Sequence, residues 1–292
     1  MATNIKNKID KLSIEKRAFI NGSFVESVHG KTIKKVSPVD GRNLSGLCAG
    51  SGKDVDMAVQ AAKVSFELKI WRDKNPDQRK EIFFKIADLM EANREKLALL
   101  DTIETGRVFK NYYEDSIPKA IDALRYFTES LDKYYDYAIP PRVGSFGTIT
   151  REPLGVVGII TPWNDPLVVS IWKFAPALLM GNSVVIKPAE QSSFSILEVA
   201  KLVKKAGVPD GVFNVVPGYG DRAGKALALH QDVAGIFFTG SSEVGKLILQ
   251  YAGQSNMKKV GLECGGKSFF IISKNCNNLQ NAADVLAGNI FY

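Results

Sequence analysis

Apolar positions recur along this chain in two rhythms, and the change between them falls near residue 140. Phe19-Ile20-Asn21-Gly22-Ser23-Phe24 predicts a small hairpin, because Asn21-Gly22 tolerates the positive φ of a tight turn between apolar flanks. Thr32 to Val36 reads as extended, stopped by Pro38 and the Asp40-Gly41 turn. Helical spacing then predicts Asp54 to Phe66, Pro76 to Met90, Asn93 to Thr105 and Ser116 to Tyr135, with Asn93 as a cap and Gly106 as a stop. Ile139-Pro140-Pro141 ends the helical stretch, and residues 142–152 read as a polar, partly extended excursion.

From Gly155 the rhythm alternates. Short apolar runs predict strands at Val156–Ile160, Ser183–Ile186, Val212–Val216, Gly235–Phe238, around Val260 and Leu262, and at Phe269–Ile272. Between them, helical spacing predicts Leu167–Leu179, Ser193–Ala206, Asp221–Leu229 and Ser242–Ala252, with Gly181 and Gly207 as stops. Asn278 can cap a last helix. Strands alternating with helices mean βαβ units and a mainly parallel sheet, so the class is α/β. Ligands in such sheets lie beyond the carboxyl ends of the strands. The loops 161–166, 187–192, 217–221, 239–243 and 263–267 therefore share one edge.

Composition adds boundaries. The chain has 292 residues, 45% hydrophobic and 24% charged, which is globular composition with material for a buried core. The length suggests two domains or one large α/β unit. The net charge of +7 is modest and, without a basic or aromatic stripe, points away from nucleic acid. Lys6, Lys8, Lys11, Lys16 and Arg17 near the start are followed by no apolar segment, so a secretory signal is not expected. No run reaches the roughly 18–20 apolar residues of a membrane span. Three scattered cysteines imply a reducing compartment, and the expectation is cytoplasmic. Two histidines make zinc chemistry improbable, and no metal is expected.

Several loops carry chemistry. Gly261-Leu262-Glu263-Cys264-Gly265-Gly266-Lys267-Ser268 fits a phosphate-loop pattern in full. Its context argues against a triphosphatase, because a strand at 269–272 is expected where a helix should open, and Glu263 would set a carboxylate among phosphates. A near-match at 240–247 has a strand before it and a helix after it, but Leu247 replaces the hydroxyl that should reach magnesium. The ordinary G-x-G-x-x-G dinucleotide fingerprint is absent. Asn164, in Thr161-Pro162-Trp163-Asn164-Asp165-Pro166, offers an amide for a developing oxyanion or a cap for the next helix. Lys187 suits a ribose hydroxyl or a phosphate, or else forms a solvated pair with Glu190. Glu263 is a turn acceptor or a general base, and a base needs burial. Cys264 is a nucleophile or, more commonly, a small buried apolar residue, and Cys48 and Cys276 take the latter role.

Four stretches taken together resemble the NAD(P)-dependent aldehyde dehydrogenase superfamily: 161–166, Gly181-Asn182-Ser183-Val184-Val185-Ile186-Lys187-Pro188-Ala189-Glu190, Phe238-Thr239-Gly240-Ser241, and Leu262-Glu263-Cys264-Gly265-Gly266-Lys267-Ser268. The similarity runs over essentially the whole chain and leans towards the bacterial branch acting on γ-glutamyl-γ-aminobutyraldehyde, betaine aldehyde and related amino-aldehydes.

The resemblance implies a variant Rossmann-type coenzyme domain at 1–135 and 154–267. It implies a protruding β arm for oligomerisation at 136–153 and a truncated start of the catalytic domain at 268–292. It implies NAD as cofactor, with NADP as the alternative. Trp163 and Ser241 would sit by the pyrophosphate, and Lys187 and Glu190 by the adenosine ribose, where Glu190 repels a 2′-phosphate. Ile160, Thr161, Pro162, Ala189, Gly220, Gly224, Phe238, Gly240 and Val244 would complete the coenzyme site. Asn164 would donate to the oxyanion, and Glu263 would activate the hydrolytic water. An aldehyde is the implied substrate and a homo-oligomer the implied assembly.

The family's chemistry begins at a cysteine thiolate that follows Asn-Gln-Gly-Gln, shortly after an aromatic pair matching Phe291-Tyr292. That cysteine is not in this sequence, so the expectation for the chain as written is no aldehyde oxidation. Uncovered apolar faces are expected after about residue 268. Cys264, Asp165 and Phe270 depart from the family's usual residues at their positions. The alternative reading is a non-catalytic NAD-binding or assembly half that pairs with a separate chain.

Overall fold

The computed structural model describes residues 7–140 and 142–291. Lys6, Pro141, Tyr292 and the side chain of Phe291 lie outside the described residues. In chain order the strands are β1 (Ala18–Ile20), β2 (Ser23–Val25), β3 (Thr32–Ile33), β4 (Leu47–Cys48), β5 (Tyr137–Ala138), β6 (Thr148–Ile149), β7 (Val156–Ile160), β8 (Ser183–Lys187), β9 (Phe213–Val215), β10 (Gly235–Gly240) and β11 (Lys259–Cys264). The principal helices are α1 (Gly52–Glu67), α2 (Pro76–Ala92), α3 (Arg94–Thr105), α4 (Ile117–Ser130), α5 (Pro166–Leu179), α6 (Phe194–Ala206), α7 (Lys225–Leu229), α8 (Ser242–Gln254) and α9 (Leu279–Phe291).

The central sheet has seven strands in the order β11-β10-β7-β8-β9-β1-β2. Neighbours from β11 to β9 pair in parallel, and the β1–β2 hairpin adds antiparallel at the β9 edge. The class is the α/β class that the alternating rhythm predicts. The hairpin turn also forms as expected, with Asn21 at φ 49 and Gly22 at φ 72. The excursion forms a separate antiparallel pair, β5 with β6.

Two cores flank the sheet, and strand alternation decides which residue enters which. Along β7, Val157 and Ile159 join the larger core with α2 to α6, whereas Val156 and Ile160 join the smaller one with α1, α7 and α8. Gly158 points to the smaller core, where a Cβ would lie 3.2 Å from Leu227 and 3.3 Å from Val233, so glycine there lets α7 approach the strand. In the larger core, Trp71 Nε1 donates to the Leu178 carbonyl at 2.7 Å.

Several local expectations change. Asn93 does not cap α3 through its side chain; its amide donates back to the Leu89 carbonyl at 2.8 Å and closes α2 instead. The expected helix 116–135 is interrupted at both ends: Tyr112–Ser116 forms a π-helical turn before it, and Leu131–Lys133 a 3₁₀ turn after it. The first turn of the expected helix 221–229 is also π-helical, at Gly220–Gly224. No strand forms at 269–272, because a strand needs a hydrogen-bonded neighbour; Phe269 and Ile271 are 91% and 89% exposed. Asn278 does cap α9, accepting from the Asn281 amide at 2.8 Å. Leu279, Val285 and Ile290 on α9 are exposed, as expected for this region. Among the described residues, no helix is long and apolar enough to cross a membrane.

Candidate functional site

Parallel strands place the ends of β7, β8, β10 and β11 along one edge, and register decides which side chains meet there. Thr239 pairs with Glu263 and Gly240 with Cys264, so the end of β11 stands beside the end of β10. This alignment also revises the phosphate-loop question. Gly261 to Cys264 are strand residues, and the next helix opens only at Leu279, so no helix N-terminus follows Lys267.

A cavity of about 920 Å³ opens at this edge, lined by Pro162, Trp163, Asn164, Gly240, Ser241 and Glu263 together with α5 residues. Six of the sequence-predicted site residues thus share one space. Trp163 stands 57% exposed at the wall. Asn164 is exposed, and among the described residues its side-chain amide has no hydrogen-bond partner, which leaves a donor aimed at no protein group. Its alternative role as a helix cap is not adopted: the residue flanking α5 is Asp165. The Asn164 carbonyl is instead held by the Tyr112 hydroxyl at 3.3 Å, while Arg107 and Ser116 hold Asp165 at 3.6 and 3.5 Å.

Ser241 accepts from the Val244 amide at 3.2 Å and so caps α8, whose first-turn amides of Ser242 and Glu243 have no side-chain partner among the described residues. Val244 itself is 41% exposed. The Phe238 ring folds under Gly240, where a Cβ would lie 2.4 Å from Cζ. Glu263 and Cys264 are exposed. The burial that a general base needs is therefore not supplied to Glu263 by the described residues, and Cys264 is not the small buried residue expected of it. Cys48 is buried, and burial pushes its thiol up to about 11; Cys276 is half-buried, against expectation.

A second group lies at the end of β8. Lys187 is only 4% exposed and donates to Glu190 at 3.0 Å, so this is not the solvated pair of the alternative reading. Ile160 and Lys187 converge on Gly224, where a Cβ would lie 3.9 Å from Ile160 Cδ1 and 4.0 Å from Lys187 Cδ. Thr161 and Ala189 are buried; Thr161 Oγ1 has no partner among the described residues. Gly220 opens the π-helical turn that ends at Gly224, and a Cβ there would meet no atom within 4 Å.

The cavity also holds residues that the sequence reading omitted. Trp172 and Lys173 project from α5, and Lys173 Nζ reaches the Phe238 carbonyl at 3.4 Å. Burial pushes the Lys173 ammonium down, opposed by the Glu263 carboxylate. Lys173 is the sole charged residue in the apolar run 166–179, and that isolation is the signal that could have found it.

A model described as "Aldehyde dehydrogenase family" matches residues 24–292. A NADP/NAD-dependent aldehyde dehydrogenase, PuuC, of Escherichia coli (strain K12) is 45% identical over 287 residues, covering 98% of this chain and 58% of its own length. An indole-3-acetaldehyde dehydrogenase solved with NAD+ superposes with a TM-score of 0.97 at 43% identity, over 99% of this chain and 58% of that one. A gamma-glutamyl-gamma-aminobutyraldehyde dehydrogenase from Burkholderia cenocepacia J2315 does so at 0.97 and 44%, over 99% and 59%. The chain thus spans a little over half the length of these relatives. The sheet edge, its motifs and a match reaching over nine-tenths of the sequence agree on one conclusion: the chain belongs to the aldehyde dehydrogenase family.

Proposed function

We propose that this chain is the coenzyme-binding part of an NAD(P)-dependent oxidoreductase that converts an aldehyde to a carboxylate. Residues 1–135 and 154–267 form the binding unit in this reading, 136–153 an arm for homo-oligomerisation, and 268–292 the start of the catalytic part. The observation that carries it is the shared edge: Trp163, Asn164, Gly240, Ser241 and Glu263 line one cavity, and Lys187, paired with Glu190, ends β8, the strand next to β7.

The residues fit a dinucleotide. The capped but otherwise open first turn of α8 offers backbone amides to a pyrophosphate. The paired Lys187 and Glu190 offer a donor and an acceptor to ribose hydroxyls, and the orphan Thr161 hydroxyl follows β7, the strand between β10 and β8. Bound there, the coenzyme supplies hydride acceptance. Asn164 donates its free amide to the oxyanion that develops on the substrate carbonyl, with its backbone fixed by Tyr112. Glu263 accepts a proton from the hydrolytic water. The family's thiolate nucleophile has no counterpart in Cys48, Cys264 or Cys276, so we expect these 292 residues to bind coenzyme without oxidising aldehyde.

The substrate class we favour is an amino-aldehyde, following the gamma-glutamyl-gamma-aminobutyraldehyde dehydrogenase from Burkholderia cenocepacia J2315, in a cytoplasmic setting with no nucleic-acid partner. Calorimetric titration of the purified chain with NAD tests the reading. Saturable heat below millimolar NAD supports it, and none at millimolar NAD overturns it. The second reading, an assembly half paired with a separate chain, draws on the exposed Phe269, Ile271 and Leu279.

A further inference from the structure

Glu104, near the end of α3, has a fully buried side chain. Its oxygens accept from the backbone amides of Ser193 at 3.0 Å and Phe194 at 2.8 Å. Ser193 stands at the N-cap of α6 but turns its hydroxyl back to the Ala189 carbonyl at 2.8 Å, so Glu104 supplies the capping acceptor from another helix. Burial pushes the Glu104 carboxyl up, and Lys35, the two buried amides and the helix dipole oppose that shift. Lys35 donates its ammonium to the same carboxylate and lies 4.4 Å over the Phe194 ring.

The loop that this cap closes carries Glu190. On one side Glu190 meets Lys187; on the other it faces a cavity of about 450 Å³ lined also by Lys34, Lys35, Glu104, Gln191 and Tyr219. The charge of Glu190 acts on Lys35, yet the hydrogen bond of Lys35 goes to Glu104.

We propose that Glu104 sets coenzyme discrimination at the adenosine ribose by holding Lys35 away from Glu190. The proposal rests on the coenzyme reading above. With Lys35 hydrogen-bonded to Glu104, Glu190 keeps Lys187 as its hydrogen-bonded cation and feels Lys35 only at longer range. It retains the negative potential that accepts from ribose hydroxyls and repels a 2′-phosphate. Released from Glu104, Lys35 turns to Glu190 across the shared cavity, and a 2′-phosphate then meets a net positive group. Glu104 is thus a positioning residue, acting through Lys35.

The test is calorimetric binding of NAD and of NADP to the whole chain, in wild type, Glu104→Gln and Lys35→Gln. Glutamine at 104 keeps one cap acceptor and removes the charge that binds Lys35. The ratio of the NADP to the NAD dissociation constant should fall about tenfold in Glu104→Gln. It should rise severalfold in Lys35→Gln, because the carboxylates then lose a cation. A merely structural role weakens both coenzymes alike and leaves the ratio where it was. An unchanged ratio, or a shift opposite to that stated in either variant, overturns the proposal. The two directions are independent, so one folded variant suffices. Failure of the wild-type chain to bind either coenzyme overturns the coenzyme reading and this proposal with it, before any substitution is made.

Discussion

The backbone amide of Asn21 donates to the side-chain oxygen of Asn214 across 3.0 Å, tying the turn of the first hairpin to the edge of the parallel sheet. The side-chain Nδ2 of Asn214 donates to the carbonyls of Val184 at 3.2 Å and Gly211 at 2.6 Å. Asn214 is fully buried, so one side chain satisfies three backbone groups where strand direction reverses. Backbone groups at such a junction have no regular ladder partner, and leaving them unpaired in the interior is costly.

Asn214→Ala should therefore destabilise the chain by about 2–4 kcal/mol, from the orphaned groups and the small cavity. Asn214→Asp should be no better, because a carboxylate cannot donate to Val184 and Gly211. Urea denaturation measures both; a loss under about 0.5 kcal/mol for either would show that the hairpin is held by its apolar residues alone.

Asp101 is fully buried, and burial pushes its carboxyl well above the usual range, with the Ser195 hydroxyl opposing. The folded state thus holds a proton that the unfolded state releases at lower pH. The sign follows: this group's favourable contribution is complete below the unfolded pKa and disappears as pH rises towards the folded one. Asp101→Asn removes that dependence. Its melting temperature should match wild type near pH 4 and exceed it by a few degrees at pH 7.5. Equal melting temperatures at both values would mean that Asp101 is ionised and solvated in the fold.

Lys187→Met keeps an apolar stem in a site only 4% exposed but removes the ammonium that pairs with Glu190. A charge-assisted hydrogen bond is worth about 1.5–3 kcal/mol, so NAD should bind at least about tenfold more weakly in the variant. Calorimetry reads this directly. Affinity within a factor of about two of wild type would remove Lys187 from the coenzyme site.

Thiol labelling should separate the three cysteines. Cys264 is exposed beside Glu263 in the large cavity, whereas Cys48 is buried with its thiol pushed up to about 11. With iodoacetamide at pH 8, Cys264 should modify first and Cys48 only on unfolding, since the thiolate is the reactive form. NAD should slow modification of Cys264 in peptide mass spectra. Labelling of Cys264 that is indifferent to saturating NAD would place the coenzyme elsewhere.

The chain's own residues determined what is decided within a few positions. Apolar runs such as Val156–Ile160 are strands because they bury both faces, and the Asn21-Gly22 turn forms because those two residues accept positive φ. The motifs along 161–166, 181–190, 238–241 and 262–268 likewise marked the family, and sheet topology carried their loops to one edge. Tertiary structure alone decided what depends on partners distant in the chain. Glu104 caps a helix that starts 90 residues later, Asn214 receives the turn of a hairpin at the far end of the sequence, and Lys187 is buried because the structure closes over it. Phe269–Ile272 has a strand's composition but no paired strand among the described residues, so it forms none. The physical reason is common to all of these: periodicity and turn preference act through adjacent bonds, whereas burial and hydrogen-bond satisfaction are set by whatever the fold brings alongside.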